Sequence, residues 1–331
     1  MRGEIEIALE LERGALADGV VRREKCAELD PRHGGSVRNA VATLAVVRTG
    51  AASTGNRELL AGGYRNRVWK VRAGRGYVIQ KQYADDPSHG DANPMFPNLP
   101  DHEAMALRAL GPLGLAPELL AVKPGSLTYR YVAGPTWRPG RLRAVDAVAR
   151  LLGAVHAVTP PTGMRDLCAS ADAARAHGDS MVDATPSRFA PELRGVRPST
   201  VGGDPVARAS LVHTDCGPGN IVRGPRGLVL IDWQCPGAGD PVEDVACFLS
   251  PAMMVLYQVR PHSRAARAQF LSSYADADVV DRYLRDGAAW HYRIGAYCVW
   301  RAHRLARSSP DVAGRYLRAL AAEIELLEGW R

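Results

Sequence analysis

The sequence predicts an α+β chain of two lobes: a small N-terminal lobe with an antiparallel sheet and a helix, then a larger, mostly helical lobe. Three observations carry this expectation. Residues 57–83 alternate apolar and polar side chains in short runs broken by glycine turns, the period of strands with one buried face. Beyond Gly134 the character changes, and RLRAVDAVARLLGAVHAV repeats apolar residues at helical spacing. Helix-like segments dominate again from Val245 to the C-terminus.

Taken in order, residues 1–55 form an extension of uncertain structure: Glu4 to Leu16 has helical character, but DPRHGGS and RTGAASTGN are loop chemistry. ELLAGGYRNRVWKVRAGRGYVIQKQY reads as strand, glycine turn, strand (Arg67 to Val71), a second turn at AGRG, and strand (Tyr77 to Tyr83). ADDPSHGDANPMFPNLP is a loop, and DHEAMALRALGPL starts a helix with acids in its first turn, where they face the positive end of the helix dipole. APELLAVKPGSLTYRYVAG supplies two more strands around a Pro-Gly turn. The expected domains are therefore residues 1–55, a nucleotide-binding lobe at 56–133 and a helical lobe at 134–331.

Composition narrows the function classes. No stretch approaches the roughly 20 apolar residues of a membrane span, and MRGEIEIALELERG carries acids where a secretory signal is basic, so a cytoplasmic protein is expected. The net charge of +7 and pI near 9.2 invite a polyanion partner. Yet the cations are dispersed, only four of the 42 being lysines, and no basic cluster is interleaved with aromatics; neither nucleic acid nor membrane is expected as partner. The six cysteines form no CxxC pair, and those beside the motifs below, Cys216 and Cys235, read as small buried fillers.

The chemistry concentrates in LVHTDCGPGN (211–220) and IDWQCPGAGD (231–240). NIVRGPRGLVLIDW is two short β-type runs joined by an RGPRG turn, so a hairpin should hold Asp215 and Asn220 near Asp232. Ionised aspartates are hard oxygen ligands suited to Mg2+, and an asparagine carbonyl completes coordination without adding charge. A carboxylate not on the metal can orient a hydroxyl and accept its proton, which is the division of labour of phosphoryl transfer. Gly217 and Gly219 allow a tight loop and leave room for phosphates near the backbone.

HTDCGPGN resembles the HxDxxxxN catalytic loop, and IDWQCPGAGDPVEDVACFL the IDWxxxxxGDPxxDLA metal segment, of the aminoglycoside phosphotransferase and choline kinase family, relatives of protein kinases. The resemblance covers roughly residues 57–331 and implies a protein-kinase-like fold, with ATP and Mg2+ as cofactors. It implies Asp215 as catalytic base, Asn220 as a Mg2+ ligand, Asp232 as the ligand bridging Mg2+ to the phosphates, and His213 as a brace of the loop. Trp233, Asp240 and Asp244 match as supports of the helical lobe, and Glu243 receives no role. In the small lobe, Lys81 resembles the strand lysine of kinases and Glu103 the helix acid that pairs with it, although Asp101 shares the first turn and leaves the pairing open. Gly62, Gly63 and Asn66 resemble the glycine turn over the nucleotide, and backbone groups of Tyr129 to Tyr131 are placed opposite the adenine. Gly217 stands where protein kinases carry a lysine, which favours small-molecule substrates.

The expected function is an ATP- and Mg2+-dependent kinase acting on a hydroxyl of a small metabolite such as choline, ethanolamine, thiamine, a sugar or an amino alcohol. The alternatives are an aminoglycoside 3'-O-phosphotransferase and a non-catalytic nucleotide-binding relative. From Arg141 onward 23 Arg stand against 20 Asp plus Glu, not the acidic face a polycationic antibiotic needs. Trp290, Tyr297, Arg301 and Arg304, with Arg293 and Trp300 alongside, form stripes that suit an aromatic cage for a cation, an anion site, or simply core.

Overall fold

The computed structural model describes residues 56–60, 66–83, 93–139, 142–199 and 205–330. The expectations for residues 1–55 and for Gly62 and Gly63 lie outside them.

The small lobe is a five-stranded antiparallel sheet in the order β1-β2-β3-β5-β4, built from β1 (Arg57–Leu60), β2 (Arg67–Ala73), β3 (Gly76–Gln82), β4 (Leu119–Lys123) and β5 (Ser126–Arg130). The β2–β3 turn is tighter than the sequence suggested. Ala73 pairs with Gly76, and Gly74 takes φ 58°, so the ladder runs two residues past Val71 and β3 begins one residue before Tyr77. Strand periodicity puts Ile79 and Lys81 on the covered face of β3 and leaves Gln80 and Gln82 exposed. A lysine there must be paired.

The covering element is α1 (Pro100–Leu110), started by a proline whose missing N–H costs nothing in the first turn. Its buried face carries Glu103, Ala104, Ala106, Leu107 and Leu110, whereas Asp101 points to solvent. Helical geometry thus settles which acid can meet Lys81.

The larger lobe holds α2 (Leu142–His156), α3 (Ala171–Asp183), α4 (Ala190–Gly195), α5 (Val242–Leu249), α6 (Pro251–Leu256), α7 (Arg264–Ser273), α8 (Ala277–Leu305) and α9 (Pro310–Glu328). The 29 residues of α8 extend about 43 Å at 1.5 Å per residue, and α3 and α9 pack along it. Ser170, Ser250, Ser263 and Asp276 cap α3, α6, α7 and α8 through side-chain acceptors.

One apolar core crosses the lobes, from Ile79, Leu107 and Leu127 through Val148 and Leu152 of α2 to Phe248 and Phe270. Each such fully buried side chain contributes about 1.5–3 kcal/mol. The connection between lobes is stitched to the hairpin of β7 (Ile221–Gly224) and β8 (Gly227–Leu230): Arg223 donates its N–H to Pro135 O and Trp137 to Ile221 O. Gly134 is required at this joint, since its φ is 151° and a Cβ would fall 2.1 Å from Arg223 O. A further ladder, β6 (Ser210–Val212) with β9 (Gly237–Gly239), was not anticipated; it fastens the start of the 211–220 loop to the end of the 231–240 segment.

Candidate active site

Lys81 joins three elements. Its Nζ lies 2.7 Å from Glu103 Oε2 on α1 and 2.6 Å from Asp232 Oδ1 beyond β8, and lysine and glutamate are each 1 % exposed. Tyr83 OH also donates to Glu103 Oε2. Burial disfavours the ammonium, but the Asp232 and Glu103 carboxylates outweigh it and hold the Lys81 pKa well above its ordinary value. Burial likewise pushes the Asp232 carboxyl up, and Lys81 reverses this to leave it below the ordinary value. A permanent cation is thus presented beside a permanent anion.

The catalytic loop is held by backbone distortion. Thr214 takes φ 71° and Asp232 φ 62°, conformations that cost non-glycine residues about 1–3 kcal/mol each. Asp244 stabilises the first: its Oδ2 accepts the N–H of His213 and its Oδ1 the N–H of Thr214, both at 2.8 Å. His156 Nε2 lies 3.0 Å from the same Oδ2. Burial pushes the Asp244 carboxyl up, but His156, His213 and these hydrogen bonds hold it below the ordinary range.

His213 is wholly buried and depressed in pKa by that burial. Asp215 N–H donates to its Nδ1 at 3.2 Å, and Nε2 stands 3.0 Å from Ile231 O, the pattern of a neutral imidazole bridging the loop to the β8 end. Asn220 closes the loop by donating Nδ2 to Asp215 O at 2.8 Å. Asp215 itself is pushed up to about 7, first by desolvation and then by the Asp232 charge, while hydrogen bonds from Tyr257 and Asn220 pull it down. A carboxylate poised near neutrality can both accept and release a proton.

Tyr257 is the residue the sequence did not reveal. It follows α6, lies 42 positions from Asp215, and donates its hydroxyl to Asp215 Oδ1 at 3.2 Å. A Cβ on Gly217 would meet its ring at 2.1 Å and one on Gly219 at 2.4 Å. These glycines therefore make room for a tyrosine ring, which corrects the expectation that they leave room for phosphates. The start of α6 is anchored by Glu323, which accepts from Ser250 Oγ and Ala252 N–H and contacts His291 Nδ1 at 2.5 Å.

The donor set suits a metal that arrives with its substrate. Among the described residues no group of three or more His, Cys, Asp or Glu is arranged to hold an ion alone. Asn220 uses its amide nitrogen on Asp215 O, which leaves the amide oxygen, and the Asp232 side chain is 39 % exposed with one oxygen on Lys81. Mg2+ keeps several waters and substrate phosphates and needs only one or two protein oxygens, so the pair fits it.

Other expected residues fall differently. Asn66 exchanges amide hydrogen bonds with Asn98 at 2.9 and 2.7 Å and reaches Gln234 at 3.4 Å, tying the start of β2 to the approach to α1 and to the segment after Asp232. Tyr131 donates its N–H to Tyr77 O, so that group is engaged in the sheet and not open to a base; Tyr129 lies within β5 opposite Ile79, with its ring buried. Asp240 accepts both Arg282 Nε and Nη2 from α8, and Trp233 packs edge-on to His213. Cys216 and Cys235 are buried, and desolvation raises both thiols well above their ordinary values, as fillers require.

The α8 stripe is mostly core: Trp290 and Tyr297 are buried, and Tyr297 packs against Phe96, Trp300 and Tyr316. Arg293 is buried too, with Nη1 2.7 Å from Glu243 Oε1 and Nε donating to His177 Nδ1 at 2.9 Å. Desolvation and then the Arg293 charge lower His177 to about 4. Arg304 lies over the Trp300 ring.

Residues 56–290 match the family described as the phosphotransferase enzyme family. No curated protein matches the sequence. Among solved structures, the chain is similar to the choline kinase LicA from Streptococcus pneumoniae, at 18 % identity and TM-score 0.54 over 81 % of this chain and 93 % of that one. An ethanolamine kinase from Plasmodium vivax gives 12 %, 0.55, 83 % and 84 %. A macrolide 2'-phosphotransferase from Brachybacterium faecium gives 15 %, 0.51, 81 % and 92 %. At these identities the likeness is one of fold, and it is the two-lobed, protein-kinase-like α+β fold that the sequence predicts.

Proposed function

This chain belongs to the phosphotransferase enzyme family, and we propose that within it the protein is an ATP- and Mg2+-dependent kinase. Its acceptor is the hydroxyl of a small metabolite such as choline, ethanolamine, thiamine, a sugar or an amino alcohol. One observation carries this proposal: Lys81 Nζ on β3 lies within 2.7 Å of both Glu103 on α1 and Asp232, which follows the hairpin that Asn220 precedes. A non-catalytic relative has no need of the complete set.

Lys81 binds the phosphates of the nucleotide and Glu103 aims it. Asp215 orients the acceptor hydroxyl and takes its proton as the acceptor O–P bond forms and the bond from Pγ to the ADP oxygen breaks. Tyr257 occupies Asp215 Oδ1 and so presents Oδ2 to the acceptor. Mg2+, held by Asn220 and Asp232, supplies neutralisation of phosphate charge when bound. No helix of the described residues is long and apolar enough to cross a membrane, which agrees with a cytoplasmic kinase.

A coupled ADP-release screen over amino alcohols, vitamins, sugars and aminoglycosides tests this. Asp215→Asn is expected to lose about 10³-fold in turnover while keeping its nucleotide affinity, and Asp232→Ala to lose Mg2+-nucleotide affinity itself. Full turnover in both purified variants would sink the assignment.

A further inference from the structure

Between the helical lobe and the segment of Met95 and Phe96, next to Thr214, lies a cavity of about 10 Å³, room for one water-sized group. Its lining includes Phe96, Thr214, Glu243, Cys247, Trp290 and Arg293. Thr214 immediately precedes Asp215, and Met253, also in the lining, accepts the N–H of Tyr257, whose hydroxyl reaches Asp215 Oδ1. The cavity therefore borders the loop that carries Asp215.

Glu243 is 4 % exposed. Its Oε1 forms an ion pair with Arg293, but neither oxygen has a hydrogen-bond partner among the described residues, and Oε2 lacks even the ion pair. Such an acceptor, removed from water and unmatched, is costly. Nearby groups do not turn toward it. Arg293 is held from its other side by His177, Arg165 donates to Pro236 O and Cys235 O, and Asp244 is occupied with the loop backbone. Because Arg293 already neutralises the carboxylate, what Oε2 lacks is a hydrogen-bond donor, not a counter-charge.

We propose that this cavity receives a second polar group of the acceptor, a hydroxyl or primary amine that donates to Glu243 Oε2 with Trp290 and Phe96 against its carbon. Resting on the kinase function proposed above, this narrows the acceptor to small diols, polyols and primary amino alcohols. A trimethylammonium carries charge but no N–H, and it exceeds a water-sized space.

The test is ADP release by the full chain with ethanolamine, glycerol, choline and 1-propanol. Ethanolamine or glycerol should exceed choline and 1-propanol at least tenfold in kcat/KM. Glu243→Gln gives its amide oxygen to Arg293 and turns an NH2 donor into the cavity. It should raise the acceptor KM at least tenfold, with kcat within about threefold and the KM for ATP within about twofold, a split that a purely structural role would not produce. Glu243→Asp, which keeps the charge but withdraws the oxygen, should move KM the same way and serves if the glutamine variant folds poorly. Choline equal to ethanolamine, or an acceptor KM unmoved in an active variant, overturns the assignment of Glu243 alone. No release that depends on Asp215 with any of the four ends the kinase proposal for this acceptor class, and this assignment with it.

Discussion

Lys81 and Asp215 are fixed by different means. Side-chain charges hold the lysine: Glu103 from the helix and Asp232 from the hairpin converge on one buried ammonium. Backbone holds the aspartate, through a left-handed Thr214 whose N–H is claimed by Asp244, a hydrogen bond from the Asn220 amide to the Asp215 carbonyl, and a tyrosine ring wedged over two glycines. The first arrangement rests on charge, so loss of either carboxylate would leave the buried ammonium underpaired. The second resists motion and keeps the carboxylate at one place, as proximity catalysis demands.

Substitutions should separate these two modes. The largest effect is expected for Lys81→Met, which strands Glu103 in the core: about 3 kcal/mol of stability and about 10²-fold or more in kcat/KM for ATP, read by chemical denaturation and steady-state kinetics. Normal ATP kinetics in that variant would remove the lysine from the site. Asp244→Asn comes next, costing about 3 kcal/mol, because an amide cannot accept both backbone N–H groups and face His156 as well. The Asp244 carboxyl titrates lower in the folded than in the unfolded chain. Its contribution is therefore full above the unfolded value, about 3.9, and is lost as pH falls through the folded one. Denaturation midpoints across acid pH should show that loss in the wild type and not in the variant.

Tyr257→Phe should be mildest, lowering kcat/KM less than about tenfold, since one hydrogen bond to a carboxylate is removed and the ring stays. That bond favours ionised Asp215, so its loss moves the rising limb of the pH–rate profile upward from near 7. An unmoved limb would mean that Tyr257 does not act on the base.

The same contrast explains what could be read from sequence. The five strands follow from alternation and glycine turns, which are local properties; Lys81 and Glu103 stand out by their resemblance to the strand lysine and helix acid of kinases, and the residual ambiguity with Asp101 yields to helix geometry. The hairpin that joins Asn220 to Asp232 was equally legible, from its RGPRG turn. Tyr257 was not, because AMMVLYQVR is an ordinary helix end whose tyrosine matters only through a partner 42 residues away. Glu243 draws no notice beside Asp244, because a buried carboxylate whose oxygens have no hydrogen-bond partner leaves no periodicity in the sequence. Asn66 was assigned to the nucleotide turn on position, whereas its amide is matched to Asn98, a pairing of side chains 32 residues apart.

Whether Asp215 passes a phosphoryl group to an alcohol can be observed directly by phosphorus NMR of the wild-type chain with ATP, Mg2+ and the best acceptor. The expected result is a phosphate monoester of the acceptor appearing in equal amount with ADP, and neither forming at an appreciable rate with Asp215→Asn. Equal release of inorganic phosphate with and without acceptor, or ester formation by Asp215→Asn at the wild-type rate, would contradict it.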